Sequence, residues 1–281
     1  MALLALPFIA RALPQEPSKK SSLDIAGALL LVLGIMAFGL FTTRYEWPYI
    51  AASLLLLSRA KEPLIEPALL RRRRFIAAVL AGGILLGAVA GLLSMIPYMM
   101  KDVHLMATSV IGSGILFPGT LSVILFGMLG GAMVDKRGPY GVMLAGLSCI
   151  GAGLLIVALA ADKAPWLIAG ALIAVFAGLS FVKTVISTIA ASALATDEAG
   201  AGMGFLNFAC FVAEGIGIAA VGGLLAQQRL AVPMLPAVTD ASAYRYSSLA
   251  LLLLAAVIAG AIVFLLAFKG RKGSMDQESG Q

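Results

Sequence analysis

Hydrophobic residues run along this chain in long continuous blocks, and short segments between the blocks carry most of the charge. Seven blocks reach the roughly 20 apolar residues that a helix needs to cross a bilayer, and a shorter eighth opens with Trp47 and Pro48. None shows the period-two alternation that is typical of a membrane β-barrel. We therefore predict an all-α integral membrane helical bundle of about eight spans, at residues 24–43, 47–60, 75–97, 108–134, 140–161, 165–188, 203–226 and 246–268.

Composition supports lipid as the main solvent of this chain. Hydrophobic residues make up 61% of the 281 positions and charged residues 12%, whereas a soluble domain averages about 25% charged residues. Basic residues in short loops mark the cytoplasmic side, and fourteen of the twenty fall on one side of the predicted bundle. This distribution predicts a multi-pass protein of the cell membrane with both termini in the cytoplasm. The fourteen residues are Arg11, Lys19, Lys20, Arg59, Lys61, Arg71, Arg72, Arg73, Arg74, Lys136, Arg137, Lys269, Arg271 and Lys272.

Enzyme chemistry has little support in the sequence. Cys149 and Cys210 fall inside predicted spans, where we expect them to pack as small residues. The single histidine, His104, lies in a loop and is expected to be solvated. With no visible nucleophile–base pair or metal-ligand set, we expect neither catalysis nor a cofactor. The basic run at 71–74 borders a span, so we expect contact with anionic lipid headgroups rather than nucleic acid.

Glu214 is an acidic residue near the middle of a predicted span. A charge at the bilayer centre costs about 2.5–3.5 kcal/mol on insertion scales, so its carboxyl group should face the bundle interior or a water-filled cavity. We predict that it exchanges a proton or an ion; the alternative is a protonated, hydrogen-bonded structural residue. Asn207 lies seven residues earlier on the same helix face and could share that cavity. Lys183 either extends to the lipid headgroups or serves as a cationic partner for Glu214 or for a substrate.

The segment GGAMVDKRGP at residues 130–139 ends an apolar run on charge. Its glycines should let two helices meet closely, and Pro139 suits the first turn of the next helix. Asp135 then stands just ahead of that turn, beside Lys136 and Arg137. Two interpretations remain open. The carboxylate forms a charge latch between neighbouring helices that breaks when the bundle rocks, or it simply caps a helix.

The same segment resembles the cytoplasmic-loop signature of the major facilitator superfamily, Gly-x-x-x-Asp-Arg/Lys-x-Gly followed by two basic residues, although Pro139 and Tyr140 replace the basic pair. Longer stretches, among them GLSFVKTVISTIAASAL, EAGAGMGFLNF and EGIGIAAVGGLL, resemble the C-terminal part of the 14-helix tetracycline efflux proteins of classes K and L. This resemblance runs from about residue 20 to residue 268. It implies the C-terminal half of a major facilitator superfamily transporter plus two central helices.

The resemblance implies a drug:proton antiporter that exports tetracycline as its divalent-metal complex, so that the metal travels with the substrate. Glu214 matches the family's essential membrane glutamate and Asp24 matches the acid that opens the central helix pair. The family's gating motif falls on Gly131, Asp135, Lys136, Arg137 and Gly138. Under this alignment, residues 1–22 are a helix end and loop, 23–74 the central two-helix insert and loop, 75–268 the C-terminal six-helix bundle, and 269–281 a tail.

The family has fourteen helices and this chain eight and a stub, so we expect the chain to lack the N-terminal bundle and to work with a separate N-terminal half or a second copy. Expected partners are a drug, protons, the lipid bilayer and, in some family members, Na⁺ or K⁺. The alternatives are a monovalent cation/proton or other drug/proton antiporter of the same fold, and a membrane fragment that does not transport.

Overall fold

The computed structural model describes residues 72–195, 199–227, 230 and 232–268, together with isolated positions between residues 29 and 55. The predicted spans 24–43 and 47–60 therefore lie almost entirely outside the described residues, as do the predicted terminal segments 1–22 and 269–281. In order, the described elements are α1 (Arg73–Asp102), α2 (Thr108–Val110), a π-helix (Ile111–Leu116), α3 (Phe117–Leu159), α4 (Pro165–Ser192), α5 (Ala199–Ala226) and α6 (Tyr244–Phe268).

Five helical segments in the described ranges are long and apolar enough to cross a membrane. The longest, Thr108–Leu159, has 52 residues and would extend about 78 Å if straight, more than twice the roughly 30 Å of the hydrocarbon core. It breaks at Gly138, whose φ of 73° and ψ of 159° are not helical. This break divides the segment into two crossings, at the position where the sequence separates spans 108–134 and 140–161. The predicted all-α membrane bundle is confirmed.

Prolines and a π-helix shape the ends of these helices. Pro165 occupies the first turn of α4, where its missing N–H has no helical partner to lose. A proline inside a helix usually breaks or kinks it. Near Pro118, the π-helix ends directly before Phe117, and the backbone N–H of Phe117 donates to the carbonyl of Gly112. The wider turns of this π-helix precede the proline, and the helix then continues into α3.

Packing is organised around α1, which contacts α4, α5 and α6, while α3 packs mainly on α4 and also on α6. Lipid tails are as apolar as the side chains, so close backbone approach rather than a hydrophobic driving force holds such helices together. The α1–α5 seam shows this approach. A Cβ added to Gly87 would lie 2.7 Å from the carbonyl oxygen of Ala213, and one added to Gly217 would overlap the carbonyl of Gly87. The α3–α4 seam repeats the pattern at Gly146 and Gly178.

One face of α5 is left uncovered by the described residues. A Cβ on Gly204, Gly215 or Gly222 would meet nothing within 4 Å, and the Phe211 side chain is 67% exposed. These residues follow one another along the helix and form what we term the open face of α5.

Candidate functional site

Lys183 on α4 and Glu214 on α5 form an ion pair between two helices that are each long and apolar enough to cross a membrane. The Lys183 Nζ atom lies 3.1 Å from the Glu214 Oε1 atom, and the two side chains are 50% and 24% exposed. Of the roles that the sequence leaves open for Lys183, this geometry favours that of a cationic partner for Glu214. Each charge alone would be costly in the membrane, so the pair compensates both and gives the site no net charge.

The ion pair lines a small cavity of about 70 Å³ that Asn207 shares. The Asn207 amide donates to the Met203 carbonyl one turn earlier at 3.1 Å, which fixes the orientation of the carboxamide. Its carboxamide oxygen makes no hydrogen bond with the part of the chain that the structure describes. The three polar residues that the sequence proposes for one site are thus brought together. The remaining wall consists of Leu86, Ile186, Ser187, Leu206, Cys210 and Phe211.

Small residues on α1 let α4 and α5 converge behind the ion pair. A Cβ on Gly82 would lie 3.1 Å from the Ile186 side chain and 3.6 Å from the Cys210 sulfur. Both of those residues belong to the cavity wall. A larger side chain at position 82 would therefore displace the wall on both helices, so α1 fixes the separation of Lys183 from Glu214.

The charged loop motif lies away from this cavity, at the break between the two crossings of α3. Asp135, Lys136 and Arg137 are exposed. Across the described ranges, no hydrogen bond or ion pair joins any of the three side chains to another residue. The conformation therefore shows neither the helix cap nor the charge latch that the sequence suggests for Asp135. Asp24, the remaining predicted site residue, lies outside the described residues.

The glycines of this motif differ in their surroundings. Gly138 is buried and its positive φ lies in the region that favours glycine. A Cβ on Gly130 would lie 3.1 Å from the Phe181 ring of α4, so this residue provides the expected close approach. The sequence assigns the same role to Gly131, but among the described residues a Cβ there would meet nothing within 4 Å, so the described helices do not make this approach. Gly131 is rotated by about 100° around the helix axis from Gly130, away from the α4 contact.

A second polar cluster, not anticipated from the sequence, joins α1 to α6 at the opposite end of the bundle. Asp102 accepts hydrogen bonds from Arg245, at 2.5 Å, and from the Tyr246 hydroxyl. The Arg245 guanidinium also lies 4.9 Å from the centre of the Tyr246 ring. The sequence shows that Asp102 and Arg245 lie at the ends of apolar spans, but it does not indicate which span ends meet.

Loop contacts at the same end involve Asp162 and His104. Asp162 accepts hydrogen bonds from the Thr239 and Asp240 backbone N–H groups and lies 3.4 Å from the Lys163 ammonium. Burial alone would raise the pKa of the Asp162 carboxyl, but these hydrogen bonds outweigh burial and hold the pKa below its ordinary value. His104, expected to be only solvated, is instead partly buried, and its Nε2 atom lies 3.1 Å from the Ala161 carbonyl. The loops therefore form an ordered layer.

Metal-ligating side chains do not gather in the described ranges, where no three His, Cys, Asp or Glu residues could hold a metal ion together.

Comparison with known families identifies the fold. The family model of the Major Facilitator Superfamily matches residues 1–218. The chain belongs to the major facilitator superfamily. A bundle of apolar helices with glycine seams, broken at an Asp-Lys-Arg-Gly motif, is therefore a superfamily architecture. Membership in a transporter family also confirms that this multi-pass membrane protein is not an enzyme.

Two curated relatives bear names that refer to multidrug transport or multidrug resistance. The chain is similar to the multidrug transporter protein MdtP of Bacillus subtilis (strain 168), with 22% identity over 244 residues, covering 80% of this chain and 45% of MdtP. It is also similar to the multidrug resistance protein Stp of Mycobacterium tuberculosis, with 27% identity over 168 residues, covering 60% of this chain and 31% of Stp. The chain thus spans less than half the length of these relatives. The assignment to tetracycline efflux classes K and L stays a prediction.

Proposed function

We propose that this chain is part of a proton-coupled exporter of drug-like small molecules in the cell membrane, with Glu214 as its coupling carboxylate. The observation that carries the proposal is the Lys183–Glu214 ion pair, which lines a cavity at membrane depth inside a superfamily bundle. Ionisable residues at such depth are costly and usually mark ion or substrate pathways. The names of the relatives MdtP and Stp agree with drug export.

Coupling follows from competition for one carboxylate. Glu214 binds either a proton or the cationic group of the cargo, and because both cannot occupy it together, exchange becomes obligatory. Lys183 neutralises the carboxylate while neither is bound. Asn207, on the same cavity wall, offers a carboxamide oxygen to a hydrogen-bond donor of the cargo.

The loop motif gates the cytoplasmic opening in this proposal. Asp135, Lys136 and Arg137 lie exposed beside the Gly138 break, where they are accessible to a neighbouring helix when the bundle rocks. In this proposal the loop and both chain termini lie in the cytoplasm, in agreement with the distribution of basic residues in the sequence.

A complete transport path needs a second wall, because substrate sites in such transporters lie between two repeats that rock against each other. The open face of α5 carries Asn207 and Phe211 beside the ion pair and is not covered by described residues. We propose that another transporter bundle covers it, supplied by a separate N-terminal half or by a second copy, with lipid around the remaining surface.

The resemblance to tetracycline efflux proteins makes tetracycline bound to a divalent metal ion the first candidate cargo. An exchanger of Na⁺ or K⁺ for protons is the second candidate, since an ionised Glu214 in a cavity of this size also suits a small cation. A membrane segment that does not transport by itself is the third.

The test uses everted membrane vesicles from cells that produce the chain, alone or with a separately supplied N-terminal half. We expect proton-driven uptake of tetracycline–Co²⁺ or of a second drug, and we expect Glu214→Gln to abolish it without loss of folding. Asp240→Asn is the matched control, because it also replaces an acid by its amide but lies in the loop layer. Persistent proton-driven uptake by Glu214→Gln would refute the role of this carboxylate.

The same vesicles separate the other candidates. Competition by Na⁺ or K⁺ against drug uptake would favour the cation exchanger. Absence of uptake under both arrangements, for a chain that inserts and folds, would favour a non-transporting segment.

A further inference from the structure

The charges that line the cavity restrict which cargo it can accept. Among the described residues that form its wall, Lys183 and Glu214 carry formal charge, and Asn207, Ser187 and Cys210 contribute neutral polar groups. The site therefore has no net charge when Glu214 is ionised and a charge of +1 when Glu214 is protonated. While Lys183 keeps its proton, the site never becomes negative.

A cargo with a single positive charge is poorly matched to this balance. To bind the Glu214 carboxylate it must either displace the Lys183 ammonium, which lies 3.1 Å from one carboxylate oxygen, or share the carboxylate with that ammonium. In both cases two positive charges stand against one negative charge in the cavity, and one of them lacks a counter-ion, which is costly in this environment.

A zwitterionic cargo avoids that cost. Its cationic group pairs with Glu214 and its anionic group with Lys183, so two charge-assisted hydrogen bonds replace one and every charge keeps a partner. A proton on Glu214 still competes with the cationic group, so exchange with protons is preserved. The proton that leaves Glu214 passes to water.

The dimensions of the site agree with recognition of charged groups alone. A volume of about 70 Å³ is small beside the roughly 300–1,000 Å³ of typical drug-binding cavities, so it suits charged groups rather than a whole drug. The hydrophobic body of a cargo would then lie against Phe211, which borders the cavity and continues onto the open face of α5.

We infer that this site selects zwitterionic small molecules over singly charged cations and that Lys183 is the residue that determines this selectivity. The inference rests on the proposed role of Glu214 and narrows the cargo. It favours a zwitterionic drug over a cationic drug–metal complex.

The test compares two compounds that share one scaffold. Ciprofloxacin is a zwitterion near neutral pH, and its ethyl ester keeps the ammonium but loses the carboxylate. Equilibrium dialysis against the purified full chain should show at least about tenfold tighter binding of ciprofloxacin, the effect expected for one charge-assisted hydrogen bond. Equal binding of both compounds, tighter binding of the ester, or no binding of either would overturn the inference.

Variants at position 183 sharpen the result. Lys183→Gln leaves Glu214 as the only formally charged side chain among the described cavity residues, so the preference should reverse in favour of the ester. Lys183→Arg retains the charge and should retain the preference for ciprofloxacin. An unchanged preference in a folded Lys183→Gln variant would contradict the selectivity role of Lys183. If that variant does not fold, the wild-type comparison of ciprofloxacin with its ester decides whether the site prefers a zwitterion. Proton-driven transport that survives Glu214→Gln would instead refute the proposed function, whichever compound binds more tightly.

Discussion

The contact between α1 and α5 determines the shape of the candidate site, and a single methyl group tests it. Gly87 faces the backbone of α5, and an added Cβ would lie 2.7 Å from the Ala213 carbonyl oxygen. Ordinary contact begins near 3.4 Å, so Gly87→Ala must separate the two helices locally by about 0.7 Å. Ala213 immediately precedes Glu214, so such a shift also moves the carboxylate relative to Lys183.

Two opposing energies set the expected magnitude. Overpacking of a well-packed interior costs about 1–3 kcal/mol. Replacing glycine by alanine inside a helix recovers about 0.5–1 kcal/mol of backbone propensity. We therefore expect Gly87→Ala to lower the free energy of unfolding by on the order of 1–2 kcal/mol.

Gly204→Ala provides the matched control on the other helix of the same pair. Its added Cβ meets no described residue within 4 Å, so the propensity gain acts there without a clash. Unfolding of the purified chain in detergent, followed by circular dichroism during heating, should therefore show a lower midpoint for Gly87→Ala and an unchanged or higher midpoint for Gly204→Ala. Equal midpoints would show that α1 and α5 do not approach as closely as described, and the geometry of the ion pair would need revision.

Two further predictions concern acidic residues outside the cavity. Asp135→Asn should slow drug uptake by vesicles more than it weakens drug binding, because the exposed carboxylate is proposed to gate rather than to contact cargo; an equal loss of both would contradict gating. Asp162 has a lowered pKa, so its ionised form stabilises the fold above the unfolded-state pKa of about 3.9, and this contribution disappears as the pH falls through the lower folded-state pKa. Asp162→Asn should thus unfold at a lower temperature than the wild type at pH 7, with the difference shrinking near pH 3, and a difference independent of pH would refute this origin.

The spans were predictable from the sequence because crossing a bilayer depends on length and apolarity, which can be read without knowing the neighbours of a helix. The predicted boundaries 165–188 and 203–226 differ by only a few residues from α4 and α5. The helix break at Gly138 was also predictable, since a Gly-Pro pair after charged residues is a strong local break. The depth of Glu214 followed from its position within its block.

Lateral arrangement was harder to predict. In a soluble helix the polar face reveals which side is buried, but a helix in lipid is apolar on both sides, so periodicity does not report its rotation. Gly131 and Gly130 illustrate the problem. They are adjacent and chemically identical in the sequence, yet only one of them meets α4. The pairing of Lys183 with Glu214 likewise depends on the rotation of two separate helices.

The ion pair connects the insertion of this bundle with its proposed activity. An isolated charge on Glu214 would be costly in lipid, and an isolated Lys183 would be drawn toward the headgroups. Paired at 3.1 Å, both charges can remain at membrane depth although Lys183 is half exposed. The same pairing disfavours the binding of singly charged cations to the carboxylate, because only a ligand that also has an anionic group can pair with Lys183. An arrangement that keeps the two charges paired therefore also gives the cavity selectivity, and that selectivity should be lost when Lys183 alone is neutralised.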